Sequence, residues 1–141
     1  MAWKRKKENW KKIYFVFGHE KEIRKAVAEY RDDPAKGSGG HAGVSDPTAV
    51  QALNAVEEVY CITIGTGKLV YPERWLKVID QTYRWCDSLH AEIARRNFNG
   101  EPWVKTCMAL HISRATRYNF ADEVSQRAML YAVQARLITI D

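Results

Sequence analysis

The run SRATRYN, residues 113–119, places polar side chains of several kinds in close succession. An arginine can make a bidentate contact to guanine or grip a phosphate, and an asparagine can pair with adenine. Hydroxyl groups bind phosphate oxygens, and the free amides of a helix start add a phosphate site. The run therefore predicts contact with double-stranded DNA through Ser113, Arg114, Thr116, Arg117, Tyr118 and Asn119.

Side chains that read DNA need a rigid element to present them, and a helix-turn-helix would serve here. Residues 103–109 are expected to form its support helix, and Ser113 is expected to cap a second helix. Leu110 and Ile112 would anchor the turn in the core. His111 stands where many such turns have glycine. Glycine is usual there because it adopts a left-handed backbone with little conformational energy, and histidine is among the residues for which that energy is moderate.

The order of charges along the second helix favours binding through its first turns. Arg114 and Arg117 come first, and Asp122 and Glu123 follow one turn later, where they would keep the rest of the helix away from phosphates. The same residues also fit a plain helical hairpin, in which the serine is only a cap and both arginines face solvent.

Apolar residues at three- and four-residue steps indicate helices along most of the chain, and no run is convincing as a strand. Helices are expected over 20–33, 46–62, 72–96 and 113–137. The predicted fold class is therefore all-α, a helical bundle with a C-terminal helix-turn-helix and a long last helix.

Four glycines in the run PAKGSGGHAGVSDP indicate a linker. We therefore divide the chain into a basic arm and N-terminal helix at 1–36, a Gly-rich linker at 37–45, and a helical domain at 46–141 with the helix-turn-helix at 101–138. A chain of 141 residues suffices for one domain with a core and an appended arm.

The net charge of +5 lies in the first twelve residues, which hold six Lys or Arg and one Glu. Basic residues near phosphates release counterions and attract DNA without reading its sequence. A solubilising, frayed terminus is the alternative for the same charges. On the DNA interpretation, nonspecific contacts are expected from Lys4, Arg5, Lys6, Lys7, Lys11 and Lys12.

Apolar residues of the last helix recur at alternating steps of three and four from Ala121 to Ile138. This spacing is typical of a seam that packs against other helices, including a helix of a second subunit. A homo-oligomer through residues 121–138 is therefore one expectation. Trp3 and Trp10, interleaved with lysines, could lie beside a DNA groove, fold back on the body or contact a partner such as RNA polymerase.

The run WVKTCMALHISRATRYNFADEVSQRAMLYAVQARLI resembles the C-terminal half of phage late transcriptional regulators of the RinA/ArpU type, whose helix-turn-helix is similar to region 4 of sigma factors. The similarity rests on Trp103, on the turn at 110–114, on Thr116 and Tyr118, and on the end of the long helix. With SDPTAVQAL at 45–53, it covers about residues 37–138.

The resemblance implies sequence-specific binding near a phage promoter and control of late, packaging or lysis genes. It also implies that Lys105, on the face of the support helix, contacts DNA. The chain departs from the family's pattern at Arg117, where many of these motifs have an apolar residue, and at Thr106 and Cys107, where a small apolar pair is usual.

Two other patterns imitate binding sites. Cys86 with His90, and Cys107 with His111, have helical spacing and together could hold zinc, but both cysteines fall on apolar stripes, so packed thiols and no metal are expected. The run IGTGKLV at 64–70 has the Gly-Lys pair of a phosphate loop without its first glycine or its Ser or Thr, so a turn between helices and no cofactor are expected.

No nucleophile, base and acid come together in the sequence, so an enzyme is not expected. No apolar run reaches the length of about 18 residues that a membrane span needs, so a cytoplasmic protein without membrane contact is expected. The leading hypothesis is a phage transcriptional regulator that binds DNA. The alternatives are a small terminase-like subunit that recognises DNA for packaging, and a helical adaptor that binds only proteins.

Overall fold

The computed structural model describes residues 2–32 and 57–139, and this part of the chain is mostly helical. The all-α class and the long last helix are confirmed. The linker predicted at 37–45 and the helix start predicted at 46 lie outside the described residues. In chain order the elements are α1 (Ala2–Gly18), α2 (Glu20–Asp32), β1 (Cys61–Ile64), β2 (Gly67–Val70), α3 (Pro72–Trp85), α4 (Ser88–Phe98), α5 (Trp103–Leu110) and α6 (Arg114–Gln134).

A short antiparallel hairpin shows that the expectation of no strand was wrong. β1 and β2 pair along their whole length, with Ile64 opposite Gly67. Gly65, with a φ of 59°, begins the two-residue connection, where a tight hairpin turn requires a positive φ. β1 buries Ile62 and Ile64 on alternate positions, but two such positions are too few to stand out as a period in the sequence. The helix predicted over 46–62 is absent from residues 57–62.

The helix predicted over 72–96 is divided in two at Cys86 and Asp87. The Asp87 carboxylate accepts a hydrogen bond of 2.7 Å from the backbone N–H of His90 and so caps the start of α4. An aspartate that satisfies the amides of a new first turn favours a helix start at that point. The apolar stripe continues across the break through Leu89 and Ile93, so periodicity alone predicts one helix.

The first compact unit comprises Met1–Glu20 and Arg74–Asp141, so the N-terminal helix belongs with the C-terminal helices. Within this unit α6 packs against α1, α4 and α5, and α1 also packs against α4. A Cβ at Gly18 would lie 2.9 Å from the carbonyl oxygen of Phe98, so only glycine allows this close approach. The buried apolar side chains of this first unit include Ile13, Val16, Phe17, Trp75, Val78, Ile79, Ile93, Ala94, Phe98, Ala121, Val124, Ala128 and Ala132.

The second compact unit comprises Lys21–Glu73. The Glu73 carboxylate accepts two hydrogen bonds from the Arg31 guanidinium, at 2.6 and 3.1 Å, and one from the Val59 N–H at 3.1 Å. A bidentate pair of this kind fixes both side chains and joins the end of α2 to the first turn of α3, and the bond from Val59 adds the segment before β1. The buried apolar side chains of this unit include Ile23, Val27, Val59, Ile62, Ile64 and Leu69.

None of the helices within 2–32 and 57–139 is both long enough and apolar enough to cross a membrane.

Candidate nucleic-acid interface

The turn between α5 and α6 has the backbone that the sequence predicts. His111 follows the last residue of α5 with φ 56° and ψ 47°, in the left-handed region. The N–H of Ile112 donates to the carbonyl of Cys107 at 3.2 Å, which closes the helix end as in a Schellman motif. The expectation that His111 takes the position where glycine is usual is confirmed.

Ser113 caps the start of α6, as predicted. Its backbone is extended, with φ −77° and ψ 160°, and its Oγ accepts a hydrogen bond of 3.1 Å from the N–H of Thr116. The Ser113 hydroxyl also donates to Thr116 Oγ1 at 2.9 Å. The preceding amides of the first turn, those of Arg114 and Ala115, have no acceptor within the helix. The phosphate site predicted from the sequence would use these amides.

Arg114 lies on the surface at the first turn of α6, beside two aromatic rings. Its guanidinium carbon is 4.5 Å from the centre of the Trp103 ring and 5.4 Å from that of the Tyr118 ring. Cation–π contacts at exposed sites contribute about 0.5–1 kcal/mol, enough to orient the guanidinium. Of the predicted DNA contacts, Thr116 is half-buried, and those exposed are Lys105, Ser113, Arg114, Tyr118 and Asn119.

Arg117 is buried, which corrects the prediction that it reads DNA. Only 7% of the residue is exposed, and its Nη2 donates to Asn97 Oδ1 at 2.7 Å. Asn97 Nδ2 donates to the Tyr14 hydroxyl at 2.9 Å, so a polar chain joins α6 through α4 to α1. Nε of Arg117 is buried with no hydrogen-bond partner among the described residues.

The position of Arg117 on the helix explains its burial. It lies four residues before Ala121, which is the first residue of the predicted seam, so both side chains point to the same side of α6. The departure from the family's pattern at this position was the signal in the sequence, because a position that usually holds an apolar residue is usually a core position.

Thr106, the other departure from the family's pattern, is fully buried on α5. Its hydroxyl donates to Glu101 Oε2 at 2.7 Å, and Arg96 Nη1 donates to the same oxygen at 3.0 Å. The hydrogen bond from Thr106 and then that from Arg96 lower the pKa of the Glu101 carboxyl. These bonds join the start of α5 to the end of α4, so they position the support helix.

The apolar residues of α5 do not mark its buried side. Val104 is 47% exposed and Met108 73% exposed. Leu110 and Ile112, which were expected to anchor the turn in the core, are only half-buried. The pattern of eight residues is too short to define a buried face, and the buried side of this helix is set by the polar Thr106 instead.

The basic N-terminal segment lies in α1, which packs on the body from Asn9 onward and is therefore not frayed there. α1 buries Asn9, Ile13, Val16 and Phe17. Trp10 is half-buried, with its ring centre 5.9 Å from that of Tyr14. The side chains of Trp3, Lys4 and Arg5 lie outside the described part of the chain, and the described members of the basic set, all exposed, are Lys6, Lys7, Lys11 and Lys12.

The seam of α6 is covered by the chain itself. Ala121, Val124 and Ala128 are 2%, 0% and 0% exposed, and α6 packs there against α1, α4 and α5. The prediction that this seam packs against other helices is confirmed, and those helices belong to the same chain. A second subunit at residues 121–138 stays a prediction, and it gains no support from Ala121, Val124 and Ala128, because a side chain buried in its own fold offers no area to another chain. In the second half of α6 the large apolar side chain of Leu130 is 44% exposed.

His90, in the first turn of α4, forms a cluster with residues of α6 that sequence reasoning missed. His90 Nδ1 lies 2.9 Å from Asp87 Oδ1, and Nε2 lies 2.8 Å from Glu123 Oε2. The ring also stacks on Phe120, with centres 3.8 Å apart. Burial disfavours the charged ring, but the hydrogen bonds that the ring donates to the Glu123 and Asp87 carboxylates outweigh it and raise the pKa of His90. The spacing of Asp87 and His90 at a helix start was visible in the sequence, whereas the contact with Glu123 was not.

Within the described residues, the two Cys/His pairs do not form a zinc site, and the run IGTGKLV does not form a phosphate loop. Burial raises the pKa of the Cys86 thiol to about 11, and no group of three metal-ligating side chains comes together there. Cys107 is half-buried and His111 exposed. The run at 64–70 is the hairpin of β1 and β2, so the turn that was expected there joins strands rather than helices.

No protein-family model, no curated protein and no solved structure matches this chain. The resemblance to phage late regulators therefore stays a prediction.

Proposed function

We propose that this protein binds double-stranded DNA through the exposed side of the α5–α6 turn, as a helix-turn-helix regulator of phage genes. The observation that carries the proposal is the helix start itself. The left-handed residue His111 ends α5, and two residues later the Ser113 cap begins α6. Polar side chains are exposed directly after this cap. This is the construction that a recognition helix needs.

The side chains have different roles in this proposal. Asn119 points away from the buried stripe of α6, and its amide suits the edge of an adenine. Arg114 donates to guanine or to a phosphate from its place beside the two rings. Ala115, exposed and small, allows the helix to approach the bases and contacts a thymine methyl. Thr116 and Lys105 hold phosphates on either side.

The regulator is favoured over a packaging subunit by one observation. The packaging alternative relies on helices that form oligomers, and most of the seam that would serve this purpose, including Ala121, Val124 and Ala128, is buried in the chain's own core. The adaptor alternative, in which the chain binds only proteins, does not use the polar side chains after Ser113.

The test is a selection from a random duplex pool, followed by binding measurements on the enriched sequence. The double variant R114A/N119A should bind the enriched duplex about 30- to 25,000-fold more weakly, since each of the two specific base contacts contributes about 1–3 kcal/mol. The matched control is R84A/Q81A, which removes the same kinds of side chain from exposed positions of α3 and should bind as the parent does.

Equal affinity of the two double variants for the enriched duplex would overturn the proposal. So would the failure of the parent protein to bind any duplex at low salt, because basic readers bind DNA nonspecifically under those conditions. In that case a protein-binding adaptor would be the better description.

A further inference from the structure

A groove runs between α1 and the second half of α6, away from the α5–α6 turn. Its volume is about 890 Å³, within the range of protein binding clefts. The floor is made by Trp10 of α1 and by Met129, Leu130 and Val133 of α6. Leu130 is 44% exposed in this groove, although it lies on a helix whose other apolar side chains are mostly covered.

The rim of the groove is basic. Lys6, Lys7 and Lys11 line it from α1, and Asp122 and Gln126 line it from α6. All five are exposed at the surface. Three lysines against one aspartate give the rim a positive charge around an apolar floor, so the complementary surface is apolar in the middle and acidic at one edge.

We propose that this groove binds a short amphipathic helix of a partner protein, with an apolar stripe flanked by Asp or Glu. The floor residues of α6 extend from position 129 to 133, and the lining of α6 as a whole from 122 to 133. At a rise of about 1.5 Å per residue this is a length of about 17 Å, which corresponds to a partner helix of about three turns. A helix in a groove of this kind anchors apolar residues at i, i+3 or i+4, and i+7.

The apolar floor argues against DNA as the occupant of the groove. A DNA backbone is charged and hydrated along its length, and it would leave Met129, Leu130 and Val133 without an apolar counterpart. A peptide that buries these side chains gains the free energy of apolar burial, and its acids meet the lysines at the rim. The groove lysines therefore serve a different partner from the one that we assign to Arg114 and Asn119.

The experiment titrates the full chain, labelled with ¹³C at its methionine methyl groups, with designed helical peptides. One 16-residue peptide carries leucines at the anchor spacing and glutamates elsewhere, and a second replaces every glutamate with lysine. The Met129 resonance, assigned by M129L, should shift with the acidic peptide and not with the basic one. Met108, 73% exposed on α5, is the internal reference and should not shift.

Matched variants separate the groove from general charge. K7E/K11E should weaken binding of the acidic peptide about tenfold, because two rim attractions become repulsions. K12E/K77E makes the same change in net charge at exposed positions outside the groove and should change affinity less than twofold. L130E should weaken binding at least as much as K7E/K11E, while M108E should leave it unchanged.

Three results would overturn the inference. The first is an unmoved Met129 resonance with the acidic peptide. The second is an equal shift of Met129 with duplex DNA, which would assign the groove to nucleic acid. The third is concentration-dependent self-association, by sedimentation, that L130E abolishes, which would make a second copy of the chain the occupant. None of these outcomes depends on whether the α5–α6 turn reads DNA.

Discussion

The first turns of α6 and its second half present opposite kinds of surface on one helix. The first turns expose polar side chains such as Arg114 and Asn119 beyond a capped start, whereas the second half exposes Leu130 beside the lysines of α1. The buried stripe under both regions is continuous. Packing in the core therefore determines the residue types on only one side of α6, and the residue types on the exposed side can differ from one end of the 21-residue helix to the other. We expect one helix to serve two classes of partner at separate places.

The largest expected effect is a difference in stability between variants of the two arginines at the start of α6. Arg117→Ala should lower the free energy of unfolding by about 1–3 kcal/mol, because it removes a packed stem and leaves the Asn97 oxygen without its donor. Arg114→Ala should lower it by less than about 1 kcal/mol, the value of an exposed cation–π contact. Urea unfolding followed by circular dichroism measures both.

A further variant tests why Arg117 matters. Arg117→Met keeps most of the packing of the stem and removes a buried charge, so it should regain much of the stability that Arg117→Ala loses. If Arg117→Ala instead left stability unchanged and abolished DNA binding, the buried position of Arg117 would be contradicted and the division of α6 into an inner and an outer side would fail there.

A smaller effect, of opposite sign, is expected at the turn. His111→Gly should raise the free energy of unfolding by about 0.5–1 kcal/mol, because glycine avoids the cost of a left-handed backbone but gains freedom in the unfolded chain. DNA affinity should not fall, since the side chain of His111 is exposed and has no role in the proposed contacts. A loss of stability in thermal unfolding would show that the turn has another backbone.

The smallest effect concerns His90, which contacts Phe120 and Glu123 of α6. Its pKa is raised in the folded chain, so its contribution to stability is fully present below its unfolded pKa of about 6.5 and is lost as the pH rises through the folded pKa. Between pH 5.5 and 8, the Tm of the parent should fall about 2 °C more than that of His90→Gln. Asp87, whose pKa is lowered by hydrogen bonds from His90, stays ionised across this range. Identical pH profiles for the two proteins would show that the cluster does not couple to folding.

The sequence was most informative where a local rule decides the structure. The cap at Ser113 and the start of α3 at Pro72 each follow from a preference of one residue type for one backbone position, and the left-handed backbone at His111 follows from its place in the turn between two helices. These preferences act over a few residues, so they can be read without knowing the rest of the fold. The helical class follows in the same way from apolar steps repeated over many residues.

The errors arose where distant residues decide. The burial of Arg117 depends on Asn97, which is 20 residues away, and on Tyr14 beyond it. The groove exists because α1 lies against α6, and no pattern within either helix predicts that pairing. The break at Asp87 is an error of a different kind, because two local signals conflicted there: a capping aspartate and a continuous apolar stripe, of which the cap prevailed.

The chain from Tyr14 through Asn97 to Arg117 also bears on the order in which the protein is made. α1 leaves the ribosome before its partners in α4 and α6, which are synthesised about 80 to 120 residues later, a delay of several seconds at ordinary rates of translation. Throughout that interval the apolar side of α1, with Ile13, Val16 and Phe17, has no partner from α4 or α6 to cover it. The nascent chain is therefore expected to need shelter by a chaperone until its last helix emerges, and the closing of such distant contacts should set its folding rate.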